Sequence, residues 1–263
     1  MLTSLINFSG TRNMNETEIL EILKGLGYSA AKIEESDERS ADYLIQLGDA
    51  KMVGELKTKG DSAEFLLSEE RALSSGQVHL HFDSTARNNR ISGIVGDAIP
   101  QIKNVMERNN ADFGLAIFEM LEPYAGNKVQ KLINTLYGRK FAVPLNTTEK
   151  IAKWCYYCTY SDFFRYKQVL NAAFIFFGKK LKVCVNNLAE NYTKFLRSGL
   201  LDCFKNKFID PAKEIETGEA MEVKGEVDRT DDGAIQEYFR RFYGFEAVAL
   251  IDFPSITAST RIH

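Results

Sequence analysis

The sequence is poor in cysteine, which limits the metal sites that it can form. It has 4 cysteines in 263 residues, all in the second half of the chain. Only Cys155 and Cys158 have the close spacing that zinc sites often use, and Cys184 and Cys203 are too scattered to complete the pattern. Free cysteines commonly behave as small buried hydrophobic residues. We therefore expect core thiols here, with a zinc site at the first pair as the alternative.

Histidine is also scarce, with 3 residues in the chain. His79 and His81 share one face of a possible strand at 77–82, with Asp83 nearby, and this spacing suits a transition metal. The third is His263, so a three-histidine site is not expected. Histidines on a strand more often hold no metal, and both interpretations stay open.

Long apolar runs and the common nucleotide-binding signatures are missing as well. No run of about 18 apolar residues occurs, so we expect no membrane-spanning helix. The first residues lack the basic start and apolar stretch of a secretory signal, which predicts a cytoplasmic location. The sequence has no P-loop, glycine-rich dinucleotide turn or Gly-x-Ser-x-Gly elbow. The familiar nucleotide-cofactor and hydrolase classes therefore have no support.

Charge is distributed unevenly along the chain, although the net charge is only −3. Residues 1–123 hold 12 Lys and Arg against 20 Asp and Glu, residues 124–209 hold 15 against 4, and residues 210–263 hold 6 against 12. A basic block in an acidic protein suits a polyanion, because phosphate neutralisation supplies most non-specific affinity for nucleic acid. A solvated surface is the alternative.

The first half has the pattern of an α/β domain that ends near residue 122. Apolar spacing and turn residues predict helices over 15–26, 61–74 and 94–108, and strands near 28–34, 42–47, 51–57, 77–82 and 112–120. The order of helix, strands, helix and strand indicates a mixed sheet with helices packed on it.

The second half, residues 123–263, is predicted to be a mostly helical basic domain. Helices are expected near 125–137, 147–177, 186–207 and 234–243, with an acidic linker at 210–232 and a last strand at 246–253. Aromatic residues interleaved with Lys153, Arg165 and Lys167 have the composition of a surface on which bases stack. A hydrophobic core explains the same aromatic residues.

Two facing acids are predicted at a hairpin in the first half. If Gly48-Asp49 forms a two-residue turn, residue 47 pairs with 50 and Asp42 lies opposite Glu55. Opposed carboxylates repel unless something offsets their charge, and a divalent cation does so. Strand alternation places Lys57 on the same face as Glu55. One carboxylate pair and one lysine therefore converge on one spot.

These residues resemble a known signature. Ala41-Asp42-Tyr-Leu-Ile followed by Val53-Gly54-Glu55-Leu56-Lys57 is similar to the PD-(D/E)XK nuclease motif, with alanine where the motif has proline. Glu16 precedes Gly27-Tyr28, as a helical acid precedes a Gly-aromatic pair in resolvase-like and Mrr-like members. The resemblance covers about residues 14–120. It implies a restriction-endonuclease-like core followed by a C-terminal region that resembles nothing familiar.

The resemblance also implies metal-dependent hydrolysis of a phosphodiester. Asp42, Glu55 and the carbonyl of Leu56 would hold Mg²⁺, for which Mn²⁺ substitutes. Lys57 would position the water and stabilise negative charge, and Glu16 would reach the metal through water. A first-turn acid that serves the helix dipole, or caps with Asn13, explains Glu16 equally well.

The expected function is an endonuclease that cuts double-stranded DNA, of a restriction or defence type, for which a homodimer is one arrangement. Lys59, Arg87, Arg90 and Gln101 are candidates for contacting the nucleic acid. A catalytically silent nucleic-acid-binding or assembly subunit on the same fold is the main alternative. A helical interaction protein with an incidental motif is a third, and it predicts no hairpin at 42–57.

A second copy of the motif serves as an internal control. Asp210 precedes Glu222-Val-Lys224. The residues between them have neither strand patterns nor a plausible hairpin turn. We therefore expect no facing acids at this copy.

Overall fold

The computed structural model describes residues 6–7, 14–34, 40–122, 124–145 and 152–260. Among these residues, one mixed sheet of seven strands forms the centre of the protein. Its strands lie in the order β1 (Ile6–Asn7), β10 (Lys180–Val185), β9 (Leu170–Phe177), β6 (Phe113–Met120), β4 (Ala50–Lys59), β3 (Tyr43–Leu47) and β2 (Ser29–Lys32). The α/β class expected from the sequence is confirmed.

The middle strands of this sheet are covered on both faces. β4 pairs with β6 and β6 with β9 in parallel, and all eight residues of β6 are buried. Helix α1 (Glu16–Gly25) packs on one face through Ile19 and Leu23. Helices α3 (Asn89–Asn109) and α4 (Ala125–Tyr137) contribute to the core on the other face. Parallel strands need such double cover, which explains why β6 is apolar throughout.

The hairpin between β3 and β4 has the register expected from the sequence. Gly48 occupies the left-handed region at φ +58°, as a two-residue turn requires. Leu47 pairs with Ala50 and Tyr43 with Gly54. A helical protein with an incidental motif predicts no such hairpin, so that alternative is wrong.

Two smaller sheets flank the central one. A four-stranded sheet has the order β11 (Ala220–Glu222), β8 (Lys153–Tyr156), β7 (Lys140–Leu145) and β12 (Ala247–Ile251), and α8 (Asp232–Tyr243) packs beside it. A two-stranded sheet joins β5 (His79–Ser84) to β13 (Pro254–Ser259), next to α2 (Ala63–Ser74). Three short α-helices and one 3₁₀ helix complete the described elements: α5 (Asp162–Arg165), α6 (Tyr192–Arg197), α7 (Pro211–Glu216) and the 3₁₀ helix Asp202–Phe204.

The expectation of a mostly helical second half is wrong. Residues 170–177 form a buried central strand, and β8 and β10 also lie in segments expected to be helical or left unassigned. A continuous apolar run has the same pattern in a strand buried on both faces as in a buried helix, so periodicity does not separate them. Within 186–207 the only α-helix described is the six-residue α6. The expected helix at 125–137 matches α4.

The central sheet does not end at residue 122, where the sequence suggested a domain boundary. Strands β9 and β10 follow that point and extend the sheet beyond β6. The core on one face also draws on both halves, since Val53 and Phe118 share it with Ile175. In the described part of the chain, no helix combines the length and apolar character needed to span a bilayer.

Candidate metal-binding site

Asp42 lies directly before β3 and is tied to β4. Its backbone N–H donates to the carbonyl of Gly54 at 3.1 Å, one residue beyond the last ladder pair, and its carboxylate lies close enough to Glu55 to raise the pKa of that acid. The Leu56 N–H donates to Asp42 Oδ2 at 2.7 Å. In an extended strand the N–H and C=O of one residue point to the same side, so the Leu56 carbonyl also points toward Asp42.

Glu55 is buried and only half satisfied. Its side chain is enclosed, and the residue is 3% exposed. Oε1 accepts a hydrogen bond from Lys57 Nζ at 2.5 Å, whereas Oε2 has no hydrogen-bond partner among the described residues. Burial raises the pKa of Glu55 to about 7; Lys57 opposes the shift and the Asp42 carboxylate adds to it. A buried acid with an unpartnered oxygen costs free energy unless a ligand satisfies it.

A pocket of about 510 Å³ opens over these groups and is called the acidic pocket here. Its wall contains four carboxylate residues, Glu16, Asp42, Glu55 and Glu119, together with Met14, Asn15, Thr17, Leu56 and Thr58. Lys57 reaches Glu55 from beside the pocket, and its side chain is 24% exposed. The structure therefore brings Asp42, Glu55 and Glu16 into one pocket wall, with Lys57 beside it.

Glu16 stands at the rim of the acidic pocket rather than on the buried face of its helix. Its side chain is 49% exposed and pairs with Lys32 at 2.5 Å. The buried face of the helix carries Ile19 and Leu23 instead. The cap of α1 is a reciprocal pair between Asn15 and Glu18, which leaves Glu16 out of it. The alternative cap residue, Asn13, lies outside the described residues.

Glu119 is a pocket residue that the sequence analysis missed. It is buried near the end of β6 and accepts hydrogen bonds from the Met14 N–H and, at 3.4 Å, the Thr58 hydroxyl. Burial raises its pKa, and these two donors oppose the shift. A lone acid inside the apolar run 113–120 was the available signal, since charged residues are rarely buried without a use.

The acidic pocket fits a hard divalent cation in its donor chemistry. Two facing carboxylates and a backbone carbonyl are oxygen ligands, and Mg²⁺ takes such ligands while keeping several waters. The unpartnered Oε2 of Glu55 supplies a free ligand atom. Among the residues that the structure describes, however, no group of three or more His, Cys, Asp or Glu has the geometry of a metal site. The protein ligands would therefore be few, with water completing the shell.

The four residues predicted to contact nucleic acid are spread over the molecule. Lys59 ends β4 on the face that carries Lys57. Arg90 is exposed in the first turn of α3, and the Gln101 amide donates to the Asp97 carbonyl of the same helix at 2.9 Å. Arg87 lines a different cavity. None of the four is in the wall of the acidic pocket as described.

The other metal candidates gain no support from the geometry. The His79 and His81 rings pack against Phe65, and His81 lies 3.6 Å from Asp83. Cys155 and Cys158 are buried free thiols, and the Cys158 thiol donates to the Cys155 carbonyl at 3.3 Å. None of these residues belongs to a group of three or more metal-binding side chains in the described parts of the chain.

The second motif copy has no facing acids, as expected. Asp210 caps α7 and accepts hydrogen bonds from the Tyr192 hydroxyl, at 2.8 Å, and the Ala212 N–H, at 3.1 Å. Glu222 lies in β11, which pairs with β8, and forms an ion pair with Lys224 at 2.8 Å. Sequence spacing alone therefore does not make the site; the hairpin does.

Fold and site together define an α/β protein with an acidic pocket at the open end of a hairpin. No protein-family model, curated protein or solved structure matches the chain. Any assignment of function therefore depends on the motif and on the geometry described above.

Proposed function

We propose that the protein is a metal-dependent endonuclease of the PD-(D/E)XK type that hydrolyses DNA. The observation that carries the proposal is Glu55: a buried carboxylate facing Asp42, paired to Lys57 through one oxygen and without a partner for the other. An acid placed in this way is costly for a protein that does not use it.

The residues at the acidic pocket would have different roles in the reaction. Asp42, Glu55 and the Leu56 carbonyl would hold the metal, with Glu16 as a contact through water. Bound there, Mg²⁺ or Mn²⁺ would supply a Lewis acid that lowers the pKa of a water molecule and offsets charge on the phosphate. The Lys57 ammonium, which donates to Glu55 in the free protein, would orient the attacking water and stabilise a phosphate oxygen.

Only part of the positive charge of the basic block, residues 124–209, is available for contacts with DNA. Four of its lysines form ion pairs with acids from the rest of the chain: Lys128 with Asp61, Lys131 with Asp83, Lys140 with Asp252 and Lys194 with Asp112. The exposed Lys179, Lys180, Lys205 and Lys207 remain as candidates for phosphate contacts. Cutting both strands of a duplex with one such site per chain would require two copies of the protein.

A catalytically silent nucleic-acid-binding subunit is the second candidate. It is favoured by the ion pair that already neutralises Glu55 and by the lack of a three-residue metal cluster among the described residues. The two candidates make opposite predictions for cleavage and the same prediction for binding.

The deciding experiment is cleavage of supercoiled plasmid and of single-stranded DNA with Mg²⁺ or Mn²⁺. We expect metal-dependent nicking by the wild-type protein. Glu55→Gln and Lys57→Ala should each reduce its rate by at least about 100-fold, because loss of a single contact to the transition state usually costs that much.

The second motif copy supplies matched controls. Glu222→Gln and Lys224→Ala remove the same residue types from an ion pair of 2.8 Å outside the site, so they should leave nicking unchanged. Salt-sensitive DNA binding without cleavage by the wild-type protein would establish the silent subunit instead. Equal loss in both pairs of variants would show damage to the fold and contradict the assigned site.

A further inference from the structure

A second cavity lies on the molecule away from the acidic pocket residues. It has a volume of about 610 Å³, within the range of small-molecule sites. The start of α3, the segment 157–165 and the loop 227–229 contribute to its wall. Two aromatic rings in this wall are half exposed, Tyr160 at 59% and Phe164 at 52%. We call it the aromatic cavity.

The wall of the aromatic cavity contains a strained residue that is held in place. Tyr157 has φ +60°, a conformation in which a bulky side chain is a genuine outlier. Its N–H donates to the Tyr137 carbonyl at 3.0 Å, and its carbonyl accepts from Arg229 Nε at 2.8 Å. Arg229 donates further to the carbonyls of Val223, Gly225 and Val227. Strain of this kind persists where the surroundings fix it and is concentrated at functional sites.

The wall also contains a buried acid with an unpartnered oxygen. Asp162 is 1% exposed; its Oδ1 accepts from the Ser92 hydroxyl at 2.7 Å, and its Oδ2 has no hydrogen-bond partner among the described residues. Arg87 Nη2 lies 3.9 Å from Oδ1 and donates to the Ser92 hydroxyl, while Nε donates to the Tyr160 carbonyl and Nη1 to the Asn89 side chain. The free protein therefore leaves one strong acceptor at this wall unused.

Positive charge with free donors lies at the same wall. Arg165 is exposed, stacks 5.2 Å from the Tyr166 ring, and finds no hydrogen-bond acceptor among the residues that are described. Lys167 Nζ lies 5.2 Å from the Phe164 ring. Arg87 and Arg229, by contrast, are largely committed to neighbouring acceptors. An anion that binds here would meet Arg165 first.

We propose that the aromatic cavity binds one nucleotide, with its base against Tyr160 and Phe164, its phosphate at Arg165, and an N–H of the base directed at Asp162. Aromatic rings stack on any base, an arginine fork suits a phosphate, and a carboxylate accepts from amino groups of bases. The nucleotide is either free or part of a DNA strand. In the second case the inference rests on the proposed function, because the cavity then holds substrate away from the acidic pocket.

The test measures binding in a Glu55→Gln background, so that cleavage does not enter. Fluorescence anisotropy would follow a labelled single-stranded DNA of about 12 nucleotides, within the usual range of strand-binding sites. Calorimetry would follow dAMP, dCMP, dGMP and dTMP separately. We expect Tyr160→Ala, Phe164→Ala and Arg165→Gln each to weaken binding by about tenfold, as loss of a stacking or phosphate contact does. Phe242→Ala and Arg241→Gln, an exposed aromatic and an arginine on α8, are the matched controls.

Each outcome decides the inference. If the cavity variants bind only the oligonucleotide more weakly, the cavity holds a nucleotide of a DNA strand. If they bind a free nucleotide more weakly, the cavity holds a small-molecule effector. Both results support the proposal. Unchanged binding in all three cavity variants, with melting temperatures that show them folded, overturns it. Failure of plasmid cleavage would contradict the proposed function without touching this result.

Discussion

Two buried carboxylates, Glu55 in the first half of the chain and Asp162 in the second, are hydrogen-bonded in the same incomplete way. Glu55 and Asp162 each have one oxygen bonded within the protein and one without a partner among the described residues. Burial raises both pKa values, to about 7 for Glu55 and about 6 for Asp162. A protein retains such groups at a cost in stability, and they are concentrated at functional sites.

The surroundings of the two acids differ, and so do the ligands that suit them. Glu55 faces a second carboxylate, and the acidic pocket has two further acids in its wall, which favours a cation. Asp162 lies among arginines and aromatic rings, which favours an anion with a planar group. A buried carboxylate with one unpartnered oxygen therefore lies at both sites, although the acidic pocket favours a cation and the aromatic cavity favours an anion.

The largest effect that we expect comes from separating the two regions. A chain ending at residue 122 keeps β4 but loses β9, the other of the two strands that pair with β6, a strand with no exposed residue. An uncovered apolar strand edge promotes aggregation rather than folding. We expect this fragment to be insoluble or to lack near-ultraviolet circular dichroism and a cooperative thermal transition. A folded fragment would show that the acidic pocket belongs to an independent domain.

The expected domain boundary near residue 122 shows which features of the fold a sequence can predict and which it cannot. The β3–β4 register followed from the Gly48-Asp49 turn and the period of two in a strand, both local properties. The sequence predicts helix where strand β9 lies, because a continuous apolar run carries no period that separates helix from strand. Glu119 and the aromatic cavity were missed because they are assembled over long range, through contacts such as Met14 with Glu119 and Arg87 with Tyr160.

The next effect concerns the cation preference of the acidic pocket. Mn²⁺ that binds only the folded protein should stabilise it by about 2.7 kcal/mol at 100 times its Kd. For a chain of this size that is a rise of roughly 5–10 °C in melting temperature. We expect Asp42→Asn to abolish the rise and Asp162→Asn to retain it. An equal rise in both variants would place the ion elsewhere and break the contrast between the two sites.

A smaller effect is expected from the pH dependence of stability at Asp162. Its pKa is raised in the folded state to about 6, so the unfolded chain loses this proton at lower pH and stability falls as pH rises between about 4 and 6. The isosteric change Asp162→Asn removes that loss. We expect it to stabilise the free protein by about 2 kcal/mol at pH 7 and to have little effect at pH 4, measured by urea unfolding at both values.

Asp210→Asn is the matched control for this prediction. Asp210 is also buried, but hydrogen-bond donors reach both of its oxygens. Burial raises the pKa of Asp210 as well, but these donors oppose the shift, so neutralising it should give a smaller gain in stability at pH 7 than Asp162→Asn gives. If Asp162→Asn and Asp210→Asn change the stability at pH 7 by the same amount, the second oxygen of Asp162 has a hydrogen-bond partner in solution. Asp162 would then not share the unpartnered state of Glu55.

The smallest effect tests whether Glu16 belongs to the acidic pocket or only to the protein surface. Its ion pair with Lys32 joins two side chains that are each about half exposed, and such pairs contribute at most about 1 kcal/mol to stability. We therefore expect Glu16→Gln and Lys32→Gln to melt almost like the wild type. Their cleavage rates should differ: a contact to the metal through water is worth about tenfold in activity, so Glu16→Gln should slow nicking while Lys32→Gln should not. Equal rates in the two variants would reduce Glu16 to a partner of Lys32 and leave Asp42 and Glu55 as the only acids of the site with an assigned role.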